Sequence, residues 1–306
     1  MMKTDSKMRL GIIGLDTSHA AAFTELLSQE SHPYHVQGGI VTAAYPGGSG
    51  DFELSRSRVQ GFTDELRQKY GVQIADSPEE VARQCDAILL ESVDGRVHLE
   101  QFRRIVGYGK PVFIDKPFTV DAAEAAEIIR LAEESAVPVM SSSALRFAEG
   151  VRQSLTAGEL GQIIGADCYG PMELQPTQPG LFWYGIHSVE MLYTFMGPGC
   201  SEVTAAMTEH HDVVTGTWKD GRIGTIRGNR CGNMTFGAMV HREQGSRPVD
   251  VYAHDKPYYA SLLEQIMPFF HKGVSPVTLD ETWEIIRFIE AANESRLSGK
   301  PVRLRS

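Results

Sequence analysis

A chain of 306 residues is long enough for two domains with separate cores, and 42% apolar with 22% charged residues is ordinary for a globular protein. A net charge of −10 argues against nucleic acid or an anionic membrane as the main partner. No apolar run reaches the length of a membrane span, and the polar start, Met1–Arg9, lacks the apolar centre of a signal peptide, so a cytoplasmic location is expected. The four cysteines, Cys85, Cys168, Cys200 and Cys231, form no Cys-x-x-Cys pair, which favours reduced core thiols over a zinc knuckle or a redox pair.

The first half alternates between two periodicities. Strand-like runs are Leu10–Leu15, Gly39–Tyr45, Ala87–Val93, Val112–Ile114 and Val137–Ser141. Helix-like runs separate them. In GFTDELRQKYG, Phe62, Leu66 and Tyr70 recur every four residues and Gly71 suits the C-terminal cap. In HLEQFRRIVGYGK, Leu99, Phe102 and Ile105 share a face; in TVDAAEAAEIIRLAEESAVP, Asp121 and Glu124 suit a capping box and Pro138 a stop. Strands alternating with helices imply a parallel sheet covered on both faces, a Rossmann-type doubly wound domain over residues 1–142.

Residues 143–306 read differently. Two strand-like runs flank Lys219-Asp220-Gly221, and NMTFGAMVHR adds another. An α+β domain with an open, mostly antiparallel sheet is expected. The final helix, with Trp283, Ile286 and Ile289 on one face and Asp280 as a cap, can pack back on the first domain.

The first turn, GLDTSH, raises the functional question. A dinucleotide-binding loop has Gly-x-Gly-x-x-Gly. Gly14 stands at the first glycine, Asp16 at the second and His19 at the third. Asp16 brings bulk and negative charge to the place where a pyrophosphate would approach, or else caps the helix; Thr17 and Ser18 can donate to phosphate at the helix N-terminus. His19 either limits helix–strand packing or points into the cleft. The acid that usually grips a ribose at the end of the second strand is missing: Tyr45 or Pro46 stands there, Asp51 follows in the loop, and Arg56 and Arg58 are either solvated or suited to a 2′-phosphate. Glu91 is an unusual acid at the carboxyl edge of the sheet, and His98 opens the next helix, where packing or capping is the favoured role. EHHD, Glu209–Asp212, reads as solvated loop residues rather than a metal site.

Four pieces in order resemble the Gfo/Idh/MocA family, the glucose–fructose oxidoreductase and inositol dehydrogenase group. They are the N-terminal strand-turn-helix, VFIDKPF (Val112–Phe118) with Asp115 for the family's Glu, YGIHSVEML (Tyr184–Leu192), and the terminal helix with ESRLSGKPV. The resemblance implies NAD or NADP contacts at Gly14, Asp16, Thr17, Ser18, His19, Glu91, Asp115 and Lys116. It implies catalysis by Lys116 and His187, where a lysine disfavoured as a cation by burial can take a hydroxyl proton. Trp183 stands where many relatives carry a catalytic Asp; Trp183, Tyr184, Glu190 and His98 are the substrate candidates, with Glu190 equally suited to a structural role. No metal ligand set is assigned.

Two functions follow as expectations. One is an NAD(P)-dependent oxidoreductase of a sugar, polyol or related hydroxy compound, a homodimer or homotetramer with no nucleic-acid or membrane partner. The other is a non-redox carbohydrate-binding or regulatory protein that has lost the dinucleotide.

Overall fold

The computed structural model describes residues 7–156 and 158–304; Met1–Ser6 of the polar start fall outside them. Contacts divide the chain into two units. The first takes residues up to Thr119, Ala123–Ser142 and Tyr259–Leu279; the second takes Val120–Ala122, Ser143–Tyr258 and the segment from Asp280.

The first unit is built on β1 (Met8–Ile13), α1 (Ser18–Ser28), β2 (Gly39–Tyr45), α2 (Glu53–Tyr70), β3 (Gln73–Ile74), α3 (Pro78–Gln84), β4 (Ala87–Leu90), α4 (His98–Ile105), β5 (Val112–Ile114), α5 (Ala122–Glu134) and β6 (Val139–Ser141). The strands form one parallel sheet in the order β3-β2-β1-β4-β5-β6. The order reverses between β1 and β4, which opens a crevice at their carboxyl ends. Buried runs such as Ala-Ile-Leu-Leu in β4 and Val-Phe-Ile in β5 suit a sheet covered on both faces. Gly11 has a packing reason, since a Cβ there would meet Val81 and Cys85 of the α3 region. Gly71 closes α2 in the left-handed conformation, as its sequence position suggests. The short edge strand β3 has too few residues to show an alternating pattern in the sequence.

The second unit contains α6 (Glu149–Leu155), β7 (Ile163–Pro171), α7 (Gly185–Met196), β8 (Cys200–Met207), β9 (His211–Trp218), β10 (Ile223–Asn229), β11 (Gly237–Arg242), β12 (Gly245–Asp250), α9 (Leu279–Ser298) and β13 (Val302–Arg303); α8 (Tyr258–Lys272) belongs, from Tyr259 on, to the first unit. The sheet order is β12-β11-β7-β10-β9-β8-β13, antiparallel except where β7 meets β10. α7 packs on β7 and β10, where Gly224 leaves room for Leu192. Ile164, Tyr169, Val213 and Ile223 are exposed on the sheet's strands. No helix among the described residues is long and apolar enough to cross a membrane.

Candidate active site

The carboxyl ends of β1, β4 and β5 carry the unusual residues of the first unit. β1 runs into Gly14, at φ +96°, a conformation glycine adopts without penalty. A Cβ at Gly14 would run into the backbone nitrogen of Ser92, so the close approach of the chain after β4 requires glycine here. Asp16 is fully buried. Its Oδ2 accepts from Ser55 Oγ at 2.6 Å and its Oδ1 from the Val93 N–H at 3.1 Å. Ser55 Oγ in turn accepts from the Ser49 N–H at 2.7 Å. Burial pushes the Asp16 carboxyl above its ordinary value, and these two hydrogen bonds oppose that. Asp16 therefore ties the β2–α2 loop and the start of α2 to the chain after β4. It does not cap α1; Thr17 does, accepting from the His19 N–H at 3.3 Å, while Ser18 is exposed.

His19, Glu91, Asp115 and Lys116 lie together in the interior. The Glu91 N–H donates to Ile13 and the Asp115 N–H to Leu90, so the parallel pairing continues past the strands and fixes both acids beside α1. His19 Nδ1 is 2.7 Å from Asp115 Oδ2 and 3.8 Å from Glu91 Oε2. The 2.7 Å approach lacks the direction of a hydrogen bond, and neither Glu91 oxygen has a hydrogen-bond partner among the described residues. The His19 ring lies against Phe23 and meets Tyr259 of the α8 segment edge-on. Burial drives Glu91 well above the usual carboxylate range, and the charge of Asp115 adds to this. Burial raises Asp115 as well, but His19 and Lys116 outweigh it and hold that acid down. Burial lowers Lys116, against the pull of Asp115 and Glu91. His19 thus sits with the two acids, buried beside α1.

Farther along the same edge, Arg96 joins Asp94 and Asp51 through paired contacts, at 2.8 and 3.0 Å to Asp51. Arg96 holds Asp51 below its ordinary value. Nothing in the sequence marks this link between the β2–α2 and β4–α4 loops. Arg56 pairs with Glu53, and Arg58 is exposed. His98 is buried, with its ring nitrogens 3.0 Å from the Phe118 carbonyl and 2.7 Å from the Ser92 carbonyl. Its position holds the loop after β4.

In the second unit, Ser143 Oγ and His187 Nδ1 are 2.7 Å apart. Tyr184 and Phe236 flank the His187 ring, and Trp183 is buried beside Tyr184. Glu190 accepts from Arg146 Nε at 2.9 Å, and Arg146 Nη2 lies 2.7 Å from Glu281. This buried triad gives Glu190 a structural place. Asp212 departs from the solvated reading of Glu209–Asp212: it is 1% exposed and accepts from Arg230 and Arg296. Those arginines lie far away in sequence, so the local pattern did not show them.

Comparison with known proteins fits this arrangement. Residues 49–143 match the family model described as oxidoreductase family, NAD-binding Rossmann fold, of the Gfo/Idh/MocA group. That stretch of the chain is similar to the NAD-binding Rossmann part of the family. The uncharacterized oxidoreductase YhhX of Escherichia coli K12 is 28% identical over 113 residues, 33% of this chain and 32% of that protein. A myo-inositol dehydrogenase from Lactobacillus casei, solved with NAD(H) and myo-inositol, superposes with a TM-score of 0.78 at 14% identity, covering 98% of each chain. Myo-inositol 2-dehydrogenase from Lactobacillus plantarum gives 0.77 at 17% identity, covering 98% of this chain and 100% of that one. At such identities the structures establish the shared fold, and the family is named for NAD-binding Rossmann oxidoreductases.

The residues of the first turn can be set against a dinucleotide. The tight turn at Gly14 and the N-terminus of α1 are retained, with Ser18 exposed there. The Asp16 carboxylate is spent inside the protein instead of projecting into solvent. A phosphate at α1 therefore fits, with the ribose acid absent from Tyr45 and Pro46.

Proposed function

We propose that the protein is an NAD(P)-dependent oxidoreductase of a sugar, polyol or related hydroxy compound. The observation that carries this reading is Lys116, a buried lysine directly after β5 whose ammonium form burial disfavours. Oxidising an alcohol removes a hydride and a proton, and a bound nicotinamide supplies the hydride acceptor. Lys116 takes the hydroxyl proton at Nζ, which its lowered pKa makes easier near neutral pH. Asp115, the acid that stays ionised, supplies the negative charge that opposes this lowering. His187, held by Ser143, is assigned the second polar role, orienting the substrate oxygen or sharing the proton. Thr17, Ser18 and the α1 N-terminus would hold the pyrophosphate, and the half-buried Tyr184 would offer a ring face to a carbohydrate-like substrate, whereas Trp183 is buried. The inositol complexes of the structural neighbours support the substrate class. The unbridged cysteines support a reducing, cytoplasmic setting, and the exposed apolar side chains on the second sheet support a homodimer or homotetramer.

A second reading rests on the end of β2, where Tyr45 and Pro46 stand in place of an acid for the ribose, which favours a non-redox, carbohydrate-binding or regulatory member without a dinucleotide. Calorimetric titration of cofactor-stripped protein with NAD+, NADH, NADP+ and NADPH separates the two. Saturable binding of one pair supports the oxidoreductase and settles which nicotinamide it uses. No binding of any of the four, with none carried through purification, leaves the non-redox reading.

A further inference from the structure

The interior cluster at the sheet edge has a second chemical meaning. His19 Nδ1, a Glu91 oxygen and an Asp115 oxygen all lie within 4.8 Å of one another. They come from three separate elements: the first turn of α1 and the chain after β4 and β5. The side chains are 7%, 0% and 1% exposed, which removes them from bulk solvent. Hydrogen bonds do not account for them either. Both Glu91 oxygens, Asp115 Oδ1 and His19 Nδ1 lack hydrogen-bond partners among the described residues. Buried polar atoms are nearly always paired, because an unpaired one costs about 1–3 kcal/mol and a buried charge more. His19 Nδ1 already faces Asp115 Oδ2 at 2.7 Å, so the two Glu91 oxygens and Asp115 Oδ1 are the acceptors left unmatched beside it, and a cation would match them.

We propose that His19, Glu91 and Asp115 form a binding site for a divalent transition-metal ion. An ion binding here would displace the proton that burial favours on Glu91, and the two carboxylates and neutral imidazole then offer a charge of about −2 for it to neutralise. One nitrogen and two oxygens suit Zn2+, Mn2+ or Fe2+ better than Ca2+ or Mg2+, which prefer oxygen alone. Three protein donors leave a four-coordinate ion with a position for water or a substrate oxygen. Lys116 follows Asp115 directly, so an ion here would also set the field around that amine. The members of this set are residues 19, 91 and 115, joined only by the sheet order, so no local spacing in the sequence marks them.

The test uses the full-length chain, freed of metal with a chelator, and titrates Zn2+ and Mn2+ separately by calorimetry. One ion per chain is expected for at least one of them. Glu91→Gln keeps the volume and removes the charge; His19→Gln removes the nitrogen donor. Each is expected to lower affinity by at least about 100-fold, on the scale seen for metal-site substitutions, while melting cooperatively without metal. Wild-type protein that binds neither ion at one per chain overturns the site. So does unchanged affinity in both folded variants, which would place the ion elsewhere. Should one variant fail to fold, the other decides. Nucleotide titration of the same preparation reads the oxidoreductase assignment separately.

Discussion

The carboxylate of Asp16 receives the Ser55 hydroxyl at 2.6 Å, linking the turn after β1 to the first turn of α2. The residue at the second glycine of the dinucleotide loop is therefore a structural tie, with its charge turned away from solvent. Asp16→Gly is expected to lower stability by about 1–3 kcal/mol, the cost of leaving buried donors unmatched, and to leave nucleotide affinity unchanged or weaker. Urea unfolding and calorimetry check the two parts. Tighter nucleotide binding at unchanged stability would show that charge repulsion dominates at this position.

Lys116→Ala is expected to reduce turnover by about 10²- to 10⁴-fold, the range for losing a general base, with the fold intact. The wild-type rate should rise with pH on a limb below the ordinary lysine value of 10.5, because burial lowers Lys116. Lys116→Arg keeps the charge and loses the titration, so that limb should vanish. Near-wild-type turnover in the alanine variant would remove Lys116 from the mechanism.

Much of the fold was legible because it depends on local patterns. Short apolar runs separated by helical periodicity specify a parallel sheet, and Asp115-Lys116-Pro117 marked the end of β5. Gly14, Lys116 and His187 could be singled out by their motifs. The role of Asp16 could not, since its partners are Ser55 and the backbone of Val93, set beside it only by the sheet order. The same holds for Arg96 reaching Asp51, and for Arg146 between Glu190 and Glu281. A charged residue read in isolation looks solvated; its partner 39 or more residues away decides otherwise.

Arg146 offers a direct check of that point. It is buried, with Glu190 and Glu281 both in contact, and their charges raise its pKa against the effect of burial. Arg146→Met leaves two buried carboxylates without their cation. A loss of about 3–5 kcal/mol is expected, as for other buried pairs broken on one side. A denaturation midpoint within error of wild type would mean that the two acids find water or protons at little cost.

Glu79 governs part of the acid limb of stability. Arg104 grips it through two hydrogen bonds of 2.7 Å, holding its pKa at about 2, down from 4.5. The folded state thus binds the proton less readily than the unfolded one. The contribution of this pair is complete above pH 4.5 and is lost as pH falls toward about 2. Arg104→Met should flatten the fall in stability across that window and change its slope little above it. Both side chains are about a third exposed, so salt screens the pair and the difference between wild type and variant should shrink as ionic strength rises. Denaturant midpoints measured across the window at low and high salt check both parts; an identical acid limb in the variant at low salt would show that other carboxylates, such as Glu127 beside Arg130, set it instead.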